Sequence, residues 1–369
     1  MDLNRIQKLA ELMVENEVDC VAVMPGANLR YLTGVSFRLS ERPTLAFFSP
    51  QTKPAAIVPS FEVSRFTAGS TAADWEVFPW SDEAGPMAAF AAAAKSLGLS
   101  GKTLAIEENV MRVAELRLLE SSASELRFTH AEPLLASMRV RKDAAEIARM
   151  RRAVAITEGA LDAVLSKVRA GMPERRIADH LIAELRQRGA HGLPFDAVVL
   201  AGPNSALPHG EPGDRALTAG DLLLLDFGVT IDGYASDITR TVAIGEISPV
   251  LRQVYEVVRQ ANEAGRAAAR PGIEIQEVDR AARKVIADAG YGEYFTHRTG
   301  HGLGLDIHEP PFAREGDPTI LEPGMTFTVE PGIYLPGRGG VRIEDDLVIT
   351  PTGNESLTTF DRALRVLVW

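Results

Sequence analysis

LTAGDLLLLD at residues 217–226 and LEPGMTFTVE at residues 321–330 decide the fold, because they are one pattern written twice. Each runs from a glycine through an apolar strand to a carboxylate six residues later, Asp226 in the first and Glu330 in the second. Upstream, GMPERRIADHLIAELRQRG at 171–189 matches GIEIQEVDRAARKVIADAG at 272–290, with a helical pattern held between glycines 18 residues apart in both. Downstream, SDITRT around Asp237 matches RIEDDL around Glu344, and, upstream of the carboxylates, HGEP at His209 matches HEPP at His308. One such match is expected by chance, but four in the same order imply a duplicated αβ unit. If its halves pack about a pseudo-twofold axis, Asp226, Asp237, Glu330 and Glu344 meet in one cleft.

Four carboxylates converging in an interior would repel one another and protonate unless cations shared the site. Two divalent ions about 3.5–4 Å apart, bridged by carboxylates, solve that problem and support hydrolysis. An imidazole would complete such a shell, and THRTGHGLGLDIHEPP offers His297, His301 and His308. Taken singly, an acid at a strand end is usually solvated or paired, and a lone histidine is usually structural. His130, His180 and His191 match nothing in the repeat and keep that reading. The glycines of GHGLG need mean no more than a tight turn.

Ahead of the repeat, helix and strand signals alternate. An amphipathic helix opens the chain, strands are expected at 19–24, 45–48, 55–58 and 103–106, and an alanine-rich helix at 86–97. A change to dense charge and helical period begins the long segment 138–165. These features predict an α/β (α+β) protein of two domains, residues 1–134 and 135–369, with the catalytic cluster in the second. The net charge of -11, with no basic run, argues against a nucleic-acid partner. The single cysteine, Cys20, lies in a strand-like VDCVAVM and allows no intrachain disulfide, which favours a reducing compartment. The first residues lack a signal-peptide pattern and no stretch approaches the roughly 18 apolar residues of a membrane span, so a cytoplasmic location without membrane association is expected.

With these motifs in hand, the chain resembles the pita-bread metallopeptidases: Xaa-Pro dipeptidase (prolidase), aminopeptidase P and methionine aminopeptidase. The resemblance runs over residues 146–364 and rests on NSALPHG, LLLDFGVTIDGYASDITRT, THRTGHGLGLDIHE, FTVEPGIY and GVRIEDD. The first third is similar to the creatinase-like N-terminal domain of the proline-specific members, which the simplest methionine aminopeptidases lack. The resemblance implies a C-terminal pita-bread domain with an internal pseudo-twofold repeat. It assigns Asp226 to one metal, His301 and Glu330 to the other, and Asp237 and Glu344 to both. It implies two divalent ions, manganese first among cobalt, zinc and iron, and cleavage of the Xaa-Pro bond of dipeptides or short peptides by a homodimer.

In that reading Glu330 shuttles the proton, His308 donates to the oxyanion, His209 holds the proline side, and Arg342 orients the bridging carboxylates. His297, Tyr234 and Phe312 are expected to line the proline pocket. One departure leaves dipeptidase and aminopeptidase both open. Many prolidases carry an arginine four residues after the second catalytic histidine, where Phe312 stands here, and Arg314 or Arg338 is a substitute. Two other readings compete: a lyase or other hydrolase acting on a small zwitterion, and a non-catalytic binding protein.

Overall fold

The computed structural model describes residues 3–69 and 75–368, so the first two residues of the expected opening helix lie outside it. The chain divides into two compact units, Met1–Arg139 and Val140–Trp369.

The first unit is built on a six-stranded sheet ordered Glu76–Trp80, Ala55–Pro59, Leu45–Phe48, Cys20–Val23, Thr103–Ile106, Arg127–His130. The four strands expected from sequence are the central ones, and they are apolar on both faces because the sheet is covered on both. The two that sequence reading missed are the edges. Glu76–Trp80 contains Pro79, which an edge strand tolerates, and Arg127–His130 is largely solvated, so neither has a buried strand's composition. The alanine-rich helix Met87–Ser96 packs Phe90 and Ala93 onto Phe47, Leu104 and Trp80. Cys20 is fully buried there, and desolvation pushes its thiol up to about 12, which leaves it inert.

In the second unit the duplication is visible bond by bond. The helices Ala144–Leu165 and Glu174–Gln187 precede the strands Val198–Ala201, Leu222–Phe227 and Ile238–Ile244. The helices Pro249–Ala268 and Gln276–Asp288 precede Gly300–Gly302, Thr326–Val329 and Asp345–Thr350. The first long helix starts at a capping box, Asp143 accepting from the Glu146 amide at 2.8 Å while Glu146 accepts from the Asp143 amide at 2.7 Å. Gly171 donates to the Leu217 carbonyl and Gly272 to the Leu321 carbonyl, both at 2.8 Å. Gly220 donates to Ile244 at 2.7 Å and Gly324 to Ile349 at 2.9 Å. Gly220 and Gly324 both sit at φ +92°, a conformation side chains disfavour, so the glycine six residues before each carboxylate is a backbone requirement.

The run Leu222–Leu225 can be apolar throughout because both its faces are covered. Leu223 and Leu225 join the core beneath the first helix pair, with Leu161, Leu181 and Leu185. Leu222 joins the core of the second pair with Val254 and Ile286. The two halves meet edge to edge: the Glu344 amide donates to the Thr239 carbonyl at 3.1 Å and the Asp237 amide to Asp346 Oδ2 at 3.0 Å. That seam draws both sets of acidic strand ends to one place. No helix among the described residues is long and apolar enough to cross a membrane.

The paired glycines yield a graded test. Gly220→Ala is expected to cost about 1–2 kcal/mol from its backbone conformation alone. Gly324→Ala is expected to cost more, because its Cβ would also come within 2.9 Å of the Lys142 carbonyl, whereas the nearest atom at Gly220 is 3.7 Å away. Urea unfolding midpoints of the two variants compare the costs, and equal losses would contradict this steric account.

Candidate metal centre

Asp226 stands near the end of Leu222–Phe227, where an antiparallel register pairs it with Thr239. Its Oδ2 accepts from the Arg342 guanidinium, while its Oδ1 is buried with no hydrogen-bond partner. Asp237 directly precedes Ile238–Ile244, is buried, and likewise leaves Oδ1 without a partner. Glu344 directly precedes Asp345–Thr350, and its Oε2 accepts from the Thr239 hydroxyl at 2.6 Å. Glu330 follows Thr326–Val329 and accepts from the Thr328 hydroxyl at 3.3 Å.

His301 lies in Gly300–Gly302 between glycines that do more than turn the chain. A Cβ at Gly300 would overlap the Thr328 carbonyl, and one at Gly302 the Pro310 carbonyl, so the flanking strands close on the histidine only because those side chains are absent. His301 Nδ1 faces the Gly302 carbonyl at 3.1 Å, which can only accept, so the proton sits on Nδ1 and Nε2 presents a lone pair. Nε2 is 3.3 Å from Glu330 Oε1 and 3.8 Å from Asp237 Oδ2. One ligand atom each from Asp237, His301 and Glu344 falls within 4.8 Å of the other two.

The electrostatics describe a site short of positive charge. Burial first, then neighbouring carboxylates, raises Asp237 and Glu344 well above the ordinary range, and burial raises Glu330 to about 7. Burial lowers His301 to about 3, holding it as the neutral imidazole that ligation requires. Arg342 is the guanidinium bonded among these acids, and of the four it bonds directly only to Asp226, not to Asp237 and Glu344, the pair it was expected to orient. Unpartnered buried oxygens, clustered carboxylates and one neutral imidazole form a donor set that fits divalent cations.

Around this cluster opens a cleft of about 960 Å³, lined by Asp226, Asp237, His301, Glu330, Arg342 and Glu344 together with His209, His297 and His308. His308 meets His301 edge to face at 4.3 Å, and the next residue, Glu309, is anchored by Lys142 at 2.5 Å in a buried ion pair. Two expected wall residues lie elsewhere. Tyr234 is buried beneath the long helix, packed with Val154 and Leu303, and its hydroxyl donates to Glu146 at 2.5 Å, so it does not line the cleft. Phe312 is half-buried behind Arg298, its ring centroid 4.7 Å from that guanidinium. Arg338 is exposed on a hairpin turn away from the cleft, whereas Arg314 lines it.

One functional residue escaped the sequence reading. The Tyr334 hydroxyl accepts from Arg342 at 2.7 Å and meets His297 Nε2 at 2.8 Å. His297 Nδ1 faces the Arg298 carbonyl at 2.7 Å and must donate to it, so Nε2 accepts the phenol proton. His297, Tyr334, Arg342 and Asp226 therefore form one hydrogen-bonded chain running from the cleft wall to a carboxylate. Tyr334 ends the FTVEPGIY motif, but nothing in its spacing reveals the hairpin Gly332–Leu335 with Gly339–Arg342 that sets it beside the arginine.

A cleft combining buried acids, a neutral imidazole and flanking histidines defines a metal-dependent hydrolase. Metallopeptidase family M24 matches residues 148–351, and the creatinase/prolidase N-terminal domain matches residues 5–141. An Xaa-Pro dipeptidase of Lactobacillus delbrueckii subsp. lactis is 35% identical over 98% of this chain and 98% of its own length. A prolidase from Thermococcus sibiricus superposes with a TM-score of 0.93 at 35% identity, covering 100% of both chains. A dipeptidase from Pyrococcus horikoshii OT3 superposes with a TM-score of 0.92 at 38% identity, covering 98% of this chain and 100% of its own. The chain belongs to metallopeptidase family M24, with the creatinase-type N-terminal domain and pita-bread catalytic domain that its sequence led us to expect.

Mutual repulsion within the cluster makes a prediction that needs no substrate. In chelator, Asp237→Asn removes one buried carboxylate from the crowd and is expected to melt higher than the wild type, by about 2–4 °C for each kcal/mol relieved. A lower melting midpoint for the variant under those conditions would contradict the charge crowding described above.

Proposed function

We propose that this chain is a metal-dependent Xaa-Pro dipeptidase that holds two divalent ions at Asp226, Asp237, His301, Glu330 and Glu344. The observation that carries this reading is the pair of buried oxygens, Asp226 Oδ1 and Asp237 Oδ1, that accept no hydrogen bond from the protein. An unpaired buried acceptor costs about 1–3 kcal/mol, and more when charged, so two on acids that line the same cleft are best explained as ligand atoms. Asp226 would serve one ion, His301 and Glu330 the other, and Asp237 and Glu344 both. Manganese suits so oxygen-rich a shell, with cobalt, zinc and iron compatible. Relatives named as dipeptidases match nearly end to end at 35% and 38% identity, above the 33% of an X-Pro aminopeptidase from Thermotoga maritima that matches as fully, and on that balance we read a dipeptidase rather than an aminopeptidase of longer peptides. Action as a homodimer in the cytoplasm belongs to the same reading, supported by the family resemblance and by a single, buried cysteine.

When bound, the ions supply an acidified water and polarise the scissile carbonyl. The chain's own groups do the rest. Glu330 takes the proton of the attacking water and returns it to the proline nitrogen, which must be protonated to leave. That nitrogen belongs to a tertiary amide without N–H, so a site that takes proline cannot depend on a backbone donor there. His308, held against His301 with Glu309 anchored by Lys142, donates to the developing oxyanion. His209, an exposed residue of the cleft lining, holds the carbonyl or carboxyl group on the proline side. Arg342, fixed by Tyr334, orients Asp226, and His297 lines the proline subsite at the head of the same chain.

Metal-loaded protein is expected to hydrolyse Ala-Pro, to lose that activity in chelator, and to regain it with manganese or cobalt. Metal-replete protein inert toward both Ala-Pro and Ala-Pro-Ala would defeat the assignment. His308→Ala is expected to lower kcat about 10²-fold or more with bound metal, counted by elemental analysis, unchanged.

A further inference from the structure

Arg298 follows His297 on the wall of the cleft. It is half-buried, its guanidinium 4.7 Å from the Phe312 ring centroid, and Arg314 approaches the same ring at 5.9 Å. Strand register sets Phe312 directly opposite His301, so this stack is the immediate neighbour of the candidate metal centre. Other arginines of this cleft are spent inside the protein: Arg342 on Asp226 and Tyr334, and Arg283 on Asp279 in a two-pronged pair. Among the described residues no carboxylate lies within ion-pair distance of the Arg298 or Arg314 guanidinium. Partial burial lowers the pKa of Arg298, the sign of a cation held with less solvation than it would choose. Stacking on an aromatic ring consumes no N–H donor, so the planar fork that matches a carboxylate remains available.

We propose that Arg298, carried on the Phe312 ring with Arg314 beside it, forms a carboxylate-binding subsite that grips a free carboxylate of the substrate. The inference rests on the Xaa-Pro peptidase reading and adds what that reading lacked, a cation replacing the one absent at position 312. Two substrate groups offer this chemistry: the C-terminal carboxylate of a dipeptide, and the side chain of an acidic residue preceding proline.

The test compares kcat and KM of the metal-loaded wild type and Arg298→Gln on Ala-Pro, Ala-Pro-amide and Asp-Pro-amide, with metal content and melting midpoint as controls. The wild type is expected to favour Ala-Pro over its amide by about tenfold or more through KM, and Arg298→Gln to erase that ratio. Phe312→Leu, which removes the stack but keeps the cation, is expected to shrink the same ratio and serves if Arg298→Gln does not fold. A ratio lost between Asp-Pro-amide and Ala-Pro-amide instead supports the subsite with the acidic side chain as its ligand. Changes of equal size on all three substrates overturn the subsite and leave the peptidase reading standing. A wild type inert toward every one of them overturns both.

Discussion

Four carboxylates crowd one cleft in which only one guanidinium, that of Arg342, is hydrogen-bonded to any of them, and much of the second unit can be understood as the means of holding them there. Asp226 has Arg342 as its hydrogen-bond partner, whereas Glu330 and Glu344 accept from hydroxyls, Glu330 faces an imidazole, and guanidinium charge reaches them only through space. Left to themselves such groups would move apart or take up protons. Here the backbone prevents separation, since the strand ends are sewn together by Glu344 to Thr239 and Asp237 to Asp346 bonds across the seam. Geometry fixed by a sheet and charge left unbalanced together make a trap for cations, and neither alone would.

The three consecutive acids Glu344, Asp345 and Asp346 illustrate how far a strand's alternation can divide one run of like chemistry. Asp345 turns away from the cleft into a network with Arg240, Arg362 and Arg266, and Arg240 and Arg362 outweigh burial to hold it down at about 2. Asp346 shares a face with Glu344 and accepts the Asp237 amide at one oxygen. Arg240 spends its donors on the carbonyls of Thr239, Glu344, Phe360 and Asp361 and on Asp345, so a fully buried cation fixes the backbone on which a cleft acid is mounted. Composition would treat the three acids alike. The repeat singled out Glu344, because only that position answers Asp237 in the other half.

The same contrast explains what else could be read in advance. Repeat, glycine positions and buried strands are local or periodic signals, and they survive in the sequence because backbone conformation and burial on both faces impose them residue by residue. Tyr234 was expected as a pocket wall, yet a reversal at 230–235 sends its ring into the core toward Glu146. Tyr334 and Arg298 were passed over for the opposite reason. Each acquires its meaning from a partner distant in sequence, Arg342 across a hairpin and Phe312 across a strand pair, and pairing register is not written in the spacing of either motif.

Duplication of the frame has not meant duplication of the chemistry. The strand Val198–Ala201 occupies in the first half the place that Gly300–Gly302 holds in the second, yet it carries apolar side chains where the other carries His301 between glycines. The first half thus brings Asp226 and Asp237, the second His301, Glu330 and Glu344, and the Arg342 guanidinium leans on Asp226. In the proposed site the two cation positions consequently differ: one is all oxygen with an arginine against its carboxylate, the other has a nitrogen ligand and an acid able to carry a proton. A symmetric frame supplies the closeness that two ions need, and the asymmetric side chains give each ion a different neighbour, so that water activation and carbonyl orientation can be assigned to opposite sides of one cleft.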